Sequence, residues 1–251
     1  MRMTVSVDRD GPVTIVTIDR PEKRGAVDPA TATALREAFA AFANDTEARV
    51  AILTGSAGYF RAGFDLGAVG AARYDPDGAG PMGPTRMLLE KPVIAAIEGH
   101  AVAGGLELAL WCDMRVAAVS AVFGVYCRRW GVPLIDGGTV RLPRIVGQGR
   151  ALDLILTGRP VSAHEALQIG LANRVVPTGT SLQAAHELAE QIAGFPQGCM
   201  LADREAVYRQ WDLPTDEAFA AEGREGVPWV AAEGAGGAAR FVDGAGRHGS
   251  F

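Results

Sequence analysis

The chain is poor in the residues that build metal centres and disulfide frameworks. Among its 251 residues are three cysteines and four histidines. Cys112, Cys127 and Cys199 are odd in number and lack metal-ligand spacing, so disulfides are not expected and a reducing cytoplasm fits. His100, His164, His186 and His248 are scattered and read as turn or surface residues, so no metal site is expected. No apolar run reaches the roughly 18 residues of a membrane span. The opening MRMTVSVDRDGPV has no apolar signal core. Positive charge is also in short supply. A net charge of -5 argues against bulk attraction to nucleic acid or to an anionic membrane. No regular repeat is visible.

What remains is an ordinary globular composition. The chain is 48% hydrophobic, ample for a sizeable core, and its 32 glycines and 14 prolines imply many turns. Val13 to Asp19 alternates β-branched and polar residues and reads as a strand. Asp28-Pro29 is an N-cap followed by proline at the first helical position, with Leu35, Phe39 and Phe42 at helical spacing behind it. Arg49 to Thr54 is the next strand, so the opening is strand, helix, strand, as in an α/β protein. A helix over 85–90 is expected before Lys91-Pro92. Beyond the centre, Met114 to Ala118, Ala121 to Gly124 and Asn173 to Val176 read as short strands. Ser162 and Glu165 look like a capping box. Ser181 to Ala193, Gly198 to Trp211 and Asp216 to Glu225 read as helices with no strands between them. This gives an α/β body over residues 1–195 and a helical region over 196–251.

The organising stretch is PVIAAIEGHAVAGGLELALWCDMR, from Pro92 to Arg115. A buried strand (Val93 to Ile97) is followed by a turn, a second short apolar run and a helix containing Leu106 to Trp111. Gly104 and Gly105 fall at the strand-to-helix junction, where the first N–H groups of a helix have no internal partner and can stabilise negative charge. Glu107 lies one turn inside. A lone Gly-Gly turn is a weak motif, and an acidic residue in a first helical turn is favourable through the helix dipole alone. Glu107, however, is flanked by Leu106, Leu108, Ala109, Leu110 and Trp111, and a carboxylate in such surroundings is costly unless paired or used.

A second small-residue turn, Ala62-Gly63, follows Tyr59 and Phe60. Alone it reads as a tight turn. With an N–H donor at Ala62 facing one at Gly104, it would complete an oxyanion hole. The Gly- and Pro-rich stretch 67–84 is expected to be a mobile loop at the rim of such a site. Arg128 and Arg129, beside Trp130, suit either an anionic ligand or a solvated surface. Asp136 balances two readings, a helix N-cap and a catalytic acid.

Taken together, the runs DRPEKRGAVD, RVAILTG, YFRAGFDL, PVIAAIEGHAVAGGLELAL, VRLPRIVG, LILTGRPVSAHEAL and GLANRVVP resemble the crotonase (enoyl-CoA hydratase/isomerase) superfamily over nearly the whole chain. The resemblance implies a core of repeated β-β-α turns and a C-terminal helical trimerisation region. It also implies a homotrimer or dimer of trimers, and an acyl substrate carried on coenzyme A, with no other cofactor. It puts the oxyanion-hole donors at Ala62 and Gly104 and the first catalytic glutamate at Glu107. The second glutamate is replaced: Cys127 stands where it is expected, after Phe123-Gly124. The Leu-Ile-Asp-Gly-Gly context of Asp136 is similar to an active-site aspartate segment of other members. Glu107 and Asp136 are therefore the expected acid/base pair, and Cys127 and Trp130 candidate lining residues. Cys127 itself would act at neutral pH only with its pKa lowered, for which Arg128 or Arg129 is the candidate. Gly25 stands where the family usually has asparagine.

The expected activity is hydration of an enoyl-CoA in the cytoplasm, within fatty acid metabolism. The alternatives are isomerisation, C–C hydrolysis or decarboxylation by the same fold, or an acyl-CoA-binding protein without turnover.

Overall fold

A hairpin opens the fold. Val5–Asp10 (β1) and Val13–Ile18 (β2) pair antiparallel, Val5 opposite Ile18, and turn at Gly11, whose φ is +54°. In β2 the residues Val13, Val16 and Ile18 are fully buried, whereas β1 is largely exposed at the sheet edge. That exposure leaves β1 without a strand signal in the sequence: Asp8, Arg9 and Asp10 carry no apolar period. The structure is a computed structural model that describes residues 4–70, 72 and 74–246.

Pro29–Asn44 (α1) starts as expected, with Asp28 Oδ1 accepting from Thr31 N at 2.8 Å. Its buried face, Leu35, Phe39 and Phe42, joins the core. Val50–Gly55 (β3) and Val93–Ile97 (β4) then pair parallel, as almost continuous apolar runs covered on both faces do. His100–Val102 (β5) leads through Ala103 into Gly104–Trp111 (α2), and Met114–Ala118 (β6) and Val122–Gly124 (β7) follow. Gly138–Val146 (α3) and Gln148–Thr157 (α4) come next, then Val161–Ser162 (β8), Ala163–Gln168 (α5), Arg174–Val176 (β9) and Ser181–Ala193 (α6). The main sheet runs β1-β2-β3-β4-β6-β9, parallel after the first hairpin. A small sheet, β5-β7-β8, lies in the same unit. Phe39 meets Trp111 edge-on, with ring centroids 4.8 Å apart, and so joins α1 to α2 in the core.

The described chain forms two compact units that divide between Ile192 and Ala193. The second contains Gln197–Arg209 (α7), Thr215–Trp229 (α8) and Ala235–Val242 (α9), with a π-helical turn over Val230–Gly234 after Pro228. Within this unit Glu233 accepts hydrogen bonds from the N–H groups of Gly198 and Cys199. The carboxylate thereby caps α7 at its start, where Pro196 has no side-chain donor or acceptor to offer.

One expectation fails here. Residues 85–90 are not helical. Thr85 and Arg86 are held by bonds to residues outside that segment instead, with Arg86 donating to the carbonyls of Asp75, Pro76 and Gly78 and to that of Ile135. The described part of the stretch 67–84 is an irregular loop that lends Val69, Tyr74 and Pro81 to the cavity, but its end is not at the surface. Leu66–Ala68 forms a 3-10 turn, and Met82 is fully buried. Ala71 and Arg73 lie outside the described residues. Among the described residues no helix is long and apolar enough to cross a membrane.

The cap of α1 gives a direct test. Asp28→Ala should lower unfolding stability by about 1 kcal/mol, read from urea denaturation, since it removes the bond to Thr31 N and leaves that donor orphaned.

Candidate active site

Two turns meet at the N-terminus of α2. Arg61 N donates to His100 O at 2.7 Å and Val102 N donates to Arg61 O at 3.2 Å, which ties the 60–62 segment alongside β5. Gly63, at φ +100°, lies so close to the second turn that a Cβ there would stand 2.9 Å from Ala103 Cβ and 3.1 Å from Gly104 N. Ala103 takes φ 52° and ψ -127°, a conformation that L-residues avoid. Strain of this kind costs about 1–3 kcal/mol and persists only where surrounding structure enforces it. Here the enforcing contact is the bond from Ala103 N to Gly124 O at 2.9 Å. Neither Ala62 N nor Gly104 N has a hydrogen-bond partner among the described residues, and both residues line one cavity. A helix leaves its first N–H groups unpaired, which accounts for Gly104.

Glu107 sits on α2 and is almost fully buried. Its Oε1 accepts from Asp136 N and from Gly138 N, each at 2.9 Å. The carboxylate therefore closes the N-terminus of α3, where only glycine leaves it room: a Cβ at Gly138 would lie 2.9 Å from Glu107 Oε1. Asp136 is held in the same manner one step further on. Its Oδ1 accepts from Met82 N at 3.0 Å and from the Thr85 hydroxyl. The remaining oxygens, Glu107 Oε2 and Asp136 Oδ2, have no partner among the described residues, and both side chains line the cavity. Each carboxylate thus has one oxygen fixed by two donors and one oxygen left over.

Burial, followed by the charge of Asp136, pushes the Glu107 carboxyl up to about 7, against the Gly138 and Asp136 N–H bonds and Arg141. Burial raises Asp136 as well, against the Thr85 hydroxyl, the Met82 N–H, Arg86 and Arg141. The pair is thus placed to hold a proton near neutral pH, the property that acid/base chemistry needs.

The cap reading of Asp136 fails. The cap position of α3 is Gly137, and Asp136 faces Met82 and Thr85 instead. A lowered pKa for Cys127 fails too. Burial pushes its thiol up and Glu107 pushes it further, with Arg128 acting weakly the other way. Both arginines are engaged elsewhere: Arg128 Nε donates to Ile155 O, and Arg129 donates to Gly158 O while stacking 3.7 Å over the Tyr126 ring. Cys127 and Trp130 both line the cavity, Cys127 buried and Trp130 exposed.

The cavity has a volume of about 740 Å³, within the range of small-molecule sites. Phe64, Leu66, Val69, Tyr74 and Ile135 give it an apolar wall, with Glu107 and Asp136 among its few polar groups. Thr85, Met82 and Arg141, which hold Asp136 or the backbone beside it, had no signal in the sequence. Their partners are 51, 54 and only five residues away, and even the near one depends on the folded loop. Among the described residues no group of three His, Cys, Asp or Glu side chains is placed to hold a metal.

The fold holds a cavity of small-molecule size that contains two buried carboxyls, and comparison with known proteins gives the family. Residues 8–227 match the enoyl-CoA hydratase/isomerase family. A carnitinyl-CoA dehydratase from Salmonella typhi is 37% identical over 224 residues, which cover 87% of this chain and 85% of that protein. An enoyl-CoA hydratase from Mycobacterium tuberculosis H37Rv superposes with a TM-score of 0.90 at 35% identity, covering 96% of each chain. One from Bacillus anthracis does so at 0.82 and 32%, covering 89% of each. The chain belongs to the enoyl-CoA hydratase/isomerase family, and it is an enzyme of the lyase type.

The raised carboxyl has a consequence for stability. The folded state keeps a proton on Glu107 that the unfolded chain releases between the usual value of 4.5 and about 7. Its contribution is full below that window and is lost as pH rises through it. Glu107→Gln keeps an oxygen for the two N–H donors but carries no charge. Its urea midpoint relative to wild type should therefore rise between about pH 5 and about pH 8. A constant difference across that range would contradict the raised pKa.

Proposed function

We propose that the protein adds water to, or removes it from, an acyl group carried as a coenzyme A thioester. The observation that carries this reading is the pair of N–H groups, Ala62 and Gly104, without partners among the described residues, on a cavity that also contains two buried carboxyls with one oxygen each left over. In this reading the two donors take the thioester carbonyl oxygen. Attack of water on the β-carbon drives electron density onto that oxygen, and donors already in place stabilise it more than the ground state. Glu107 and Asp136 share one proton. The ionised member takes a proton from the attacking water, and the protonated member gives one to the α-carbon. Dehydration is the same path reversed. The relatives named hydratase and dehydratase carry the two directions in their names.

Cys127, neutral at pH 7, cannot act as the second base, and Asp136 takes that part. Only protons and water move, so the chemistry calls for no group beyond the coenzyme A that arrives on the substrate. The three cysteines are free thiols, in keeping with the cytoplasm as the compartment. Exposed apolar side chains on the C-terminal helices, Phe219, Val227, Val230, Phe241 and Val242, support a homotrimer or dimer of trimers. Light scattering on the eluting protein should give a trimer or hexamer mass. A monomer would exclude this assembly.

Glu107→Gln and Asp136→Asn should each lower hydration of a short trans-2-enoyl-CoA by roughly 10²–10⁴ in kcat, read as loss of enoyl-thioester absorbance. Both should leave the affinity for a saturated acyl-CoA within about threefold of wild type. The wild-type rate should fall on both sides of neutral pH, as the pair gains its second proton or loses its only one. Absence of hydration by the wild type across short and medium chains would overturn the assignment. The matched family also contains isomerases by its description, and this favours isomerisation as a second reading, in which Glu107, the carboxyl pushed up to about 7, shuttles the proton alone. A shifted double bond in the product, with full activity in Asp136→Asn, would select it.

A further inference from the structure

Arg61 heads the ranking by volume of the fully buried side chains. No carboxylate pairs with it among the described residues. Its Nη2 donates to Thr54 O at 2.7 Å, its Nη1 donates to Phe60 O, and its Nε, also buried, has no partner. A buried cation answered only by two carbonyls and by the Phe60 ring, whose centroid lies 5.0 Å from Arg61 Cζ, is costly, and an apolar side chain of equal volume would fill the space without that cost. Something other than packing accounts for it.

The position suggests what that is. Arg61 immediately precedes Ala62, one of the two donors. Its fork joins the 60–62 turn to the end of β3, and its backbone bonds to His100 and Val102 join the same turn to β5. Its stem presses on the other donor turn as well. A Cβ at Gly105 would lie 2.3 Å from Arg61 Cβ and 2.7 Å from Arg61 O. One residue therefore packs against both turns of the hole without lining the cavity.

We infer that Arg61 is a positioning residue for the reaction: its guanidinium, held by the Thr54 and Phe60 carbonyls, fixes the course of the 60–62 turn and with it the Ala62 N–H on the cavity that Gly104 also lines. Burial draws its pKa down to about 9, so the fork stays cationic near neutral pH and its bonds to the two carbonyls stay charge-assisted. The inference rests on the proposed reading that Ala62 and Gly104 hold a thioester oxygen.

The test compares wild type, Arg61→Met and Arg61→Lys in three measurements at one pH. These are affinity for saturated butyryl-CoA, the ultraviolet enolate band of bound acetoacetyl-CoA, and kcat and KM with crotonyl-CoA. Arg61→Met keeps the volume and loses the charge and the fork. It should bind butyryl-CoA within about threefold of wild type, lose the enolate band, and lose roughly 10- to 100-fold in kcat with KM little changed. Arg61→Lys keeps the charge without the fork and should fall between the two. An enolate band and kcat equal to wild type in Arg61→Met would overturn the inference. So would a loss of butyryl-CoA affinity as large as the loss in kcat, which is the pattern of a merely structural residue. Should Arg61→Met not fold, Arg61→Lys decides, and an unchanged band and kcat overturn it. A wild type that shows neither an enolate band nor turnover defeats the oxyanion-hole reading itself, and the inference with it.

Discussion

The site depends on one buried contact, the acceptance of two backbone N–H groups by Glu107 Oε1. The donors belong to Asp136 and Gly138, so a single carboxylate joins α2 to the segment that opens α3. A charged group in that position answers the unpaired donors of a helix start, which burial would otherwise leave unsatisfied. The same contact fixes the geometry of the second acid, because the N–H that Glu107 receives is that of Asp136 itself. Moving one carboxyl moves the other.

Asp136 passes the constraint outward. Through Met82 N and the Thr85 hydroxyl it fastens the 82–85 segment. Arg141 fastens the same region again by donating to Asp136 O and Thr85 O. Arg86 gathers the carbonyls of Asp75, Pro76 and Gly78 and also reaches Ile135 O. Residues 75–86 are thereby tied to one another and to the loop that carries Asp136, by charge-assisted bonds to carbonyls and, at Met82, by burial in the core.

Burial raises every acid around this cavity, and their different starting values sort their chemistry. It raises Glu107 and Asp136 towards neutrality, where a carboxyl can both give and take a proton. It raises Cys127 away from neutrality and leaves a thiol that can only fill space. The replacement of glutamate by cysteine is therefore not a change of base. It removes one titratable group and leaves the proton traffic to the pair that shares a backbone hydrogen bond.

Much of this was legible in the residues. The N-cap at Asp28, the apolar runs of β3 and β4, and the glycine junction before Glu107 are local chemistry and follow from spacing. Glu107 stood out because a carboxylate amid leucines is expensive anywhere. The edge strand β1 was illegible because its burial is one-sided and slight. The failure of a helix over 85–90 has the same origin as the order of the loop before it, since bonds to residues some fifty positions away outweigh local preference. The family, the order of most elements and the prominence of Glu107 were already written in the residues, because periodicity and motif are properties of neighbours in the chain. Folding makes Asp136 a held carboxyl and no helix cap, pushes the Cys127 thiol up, and buries Arg61 with no acid paired to it among the described residues. Those outcomes turn on which distant donors and charges surround a group once water has left it.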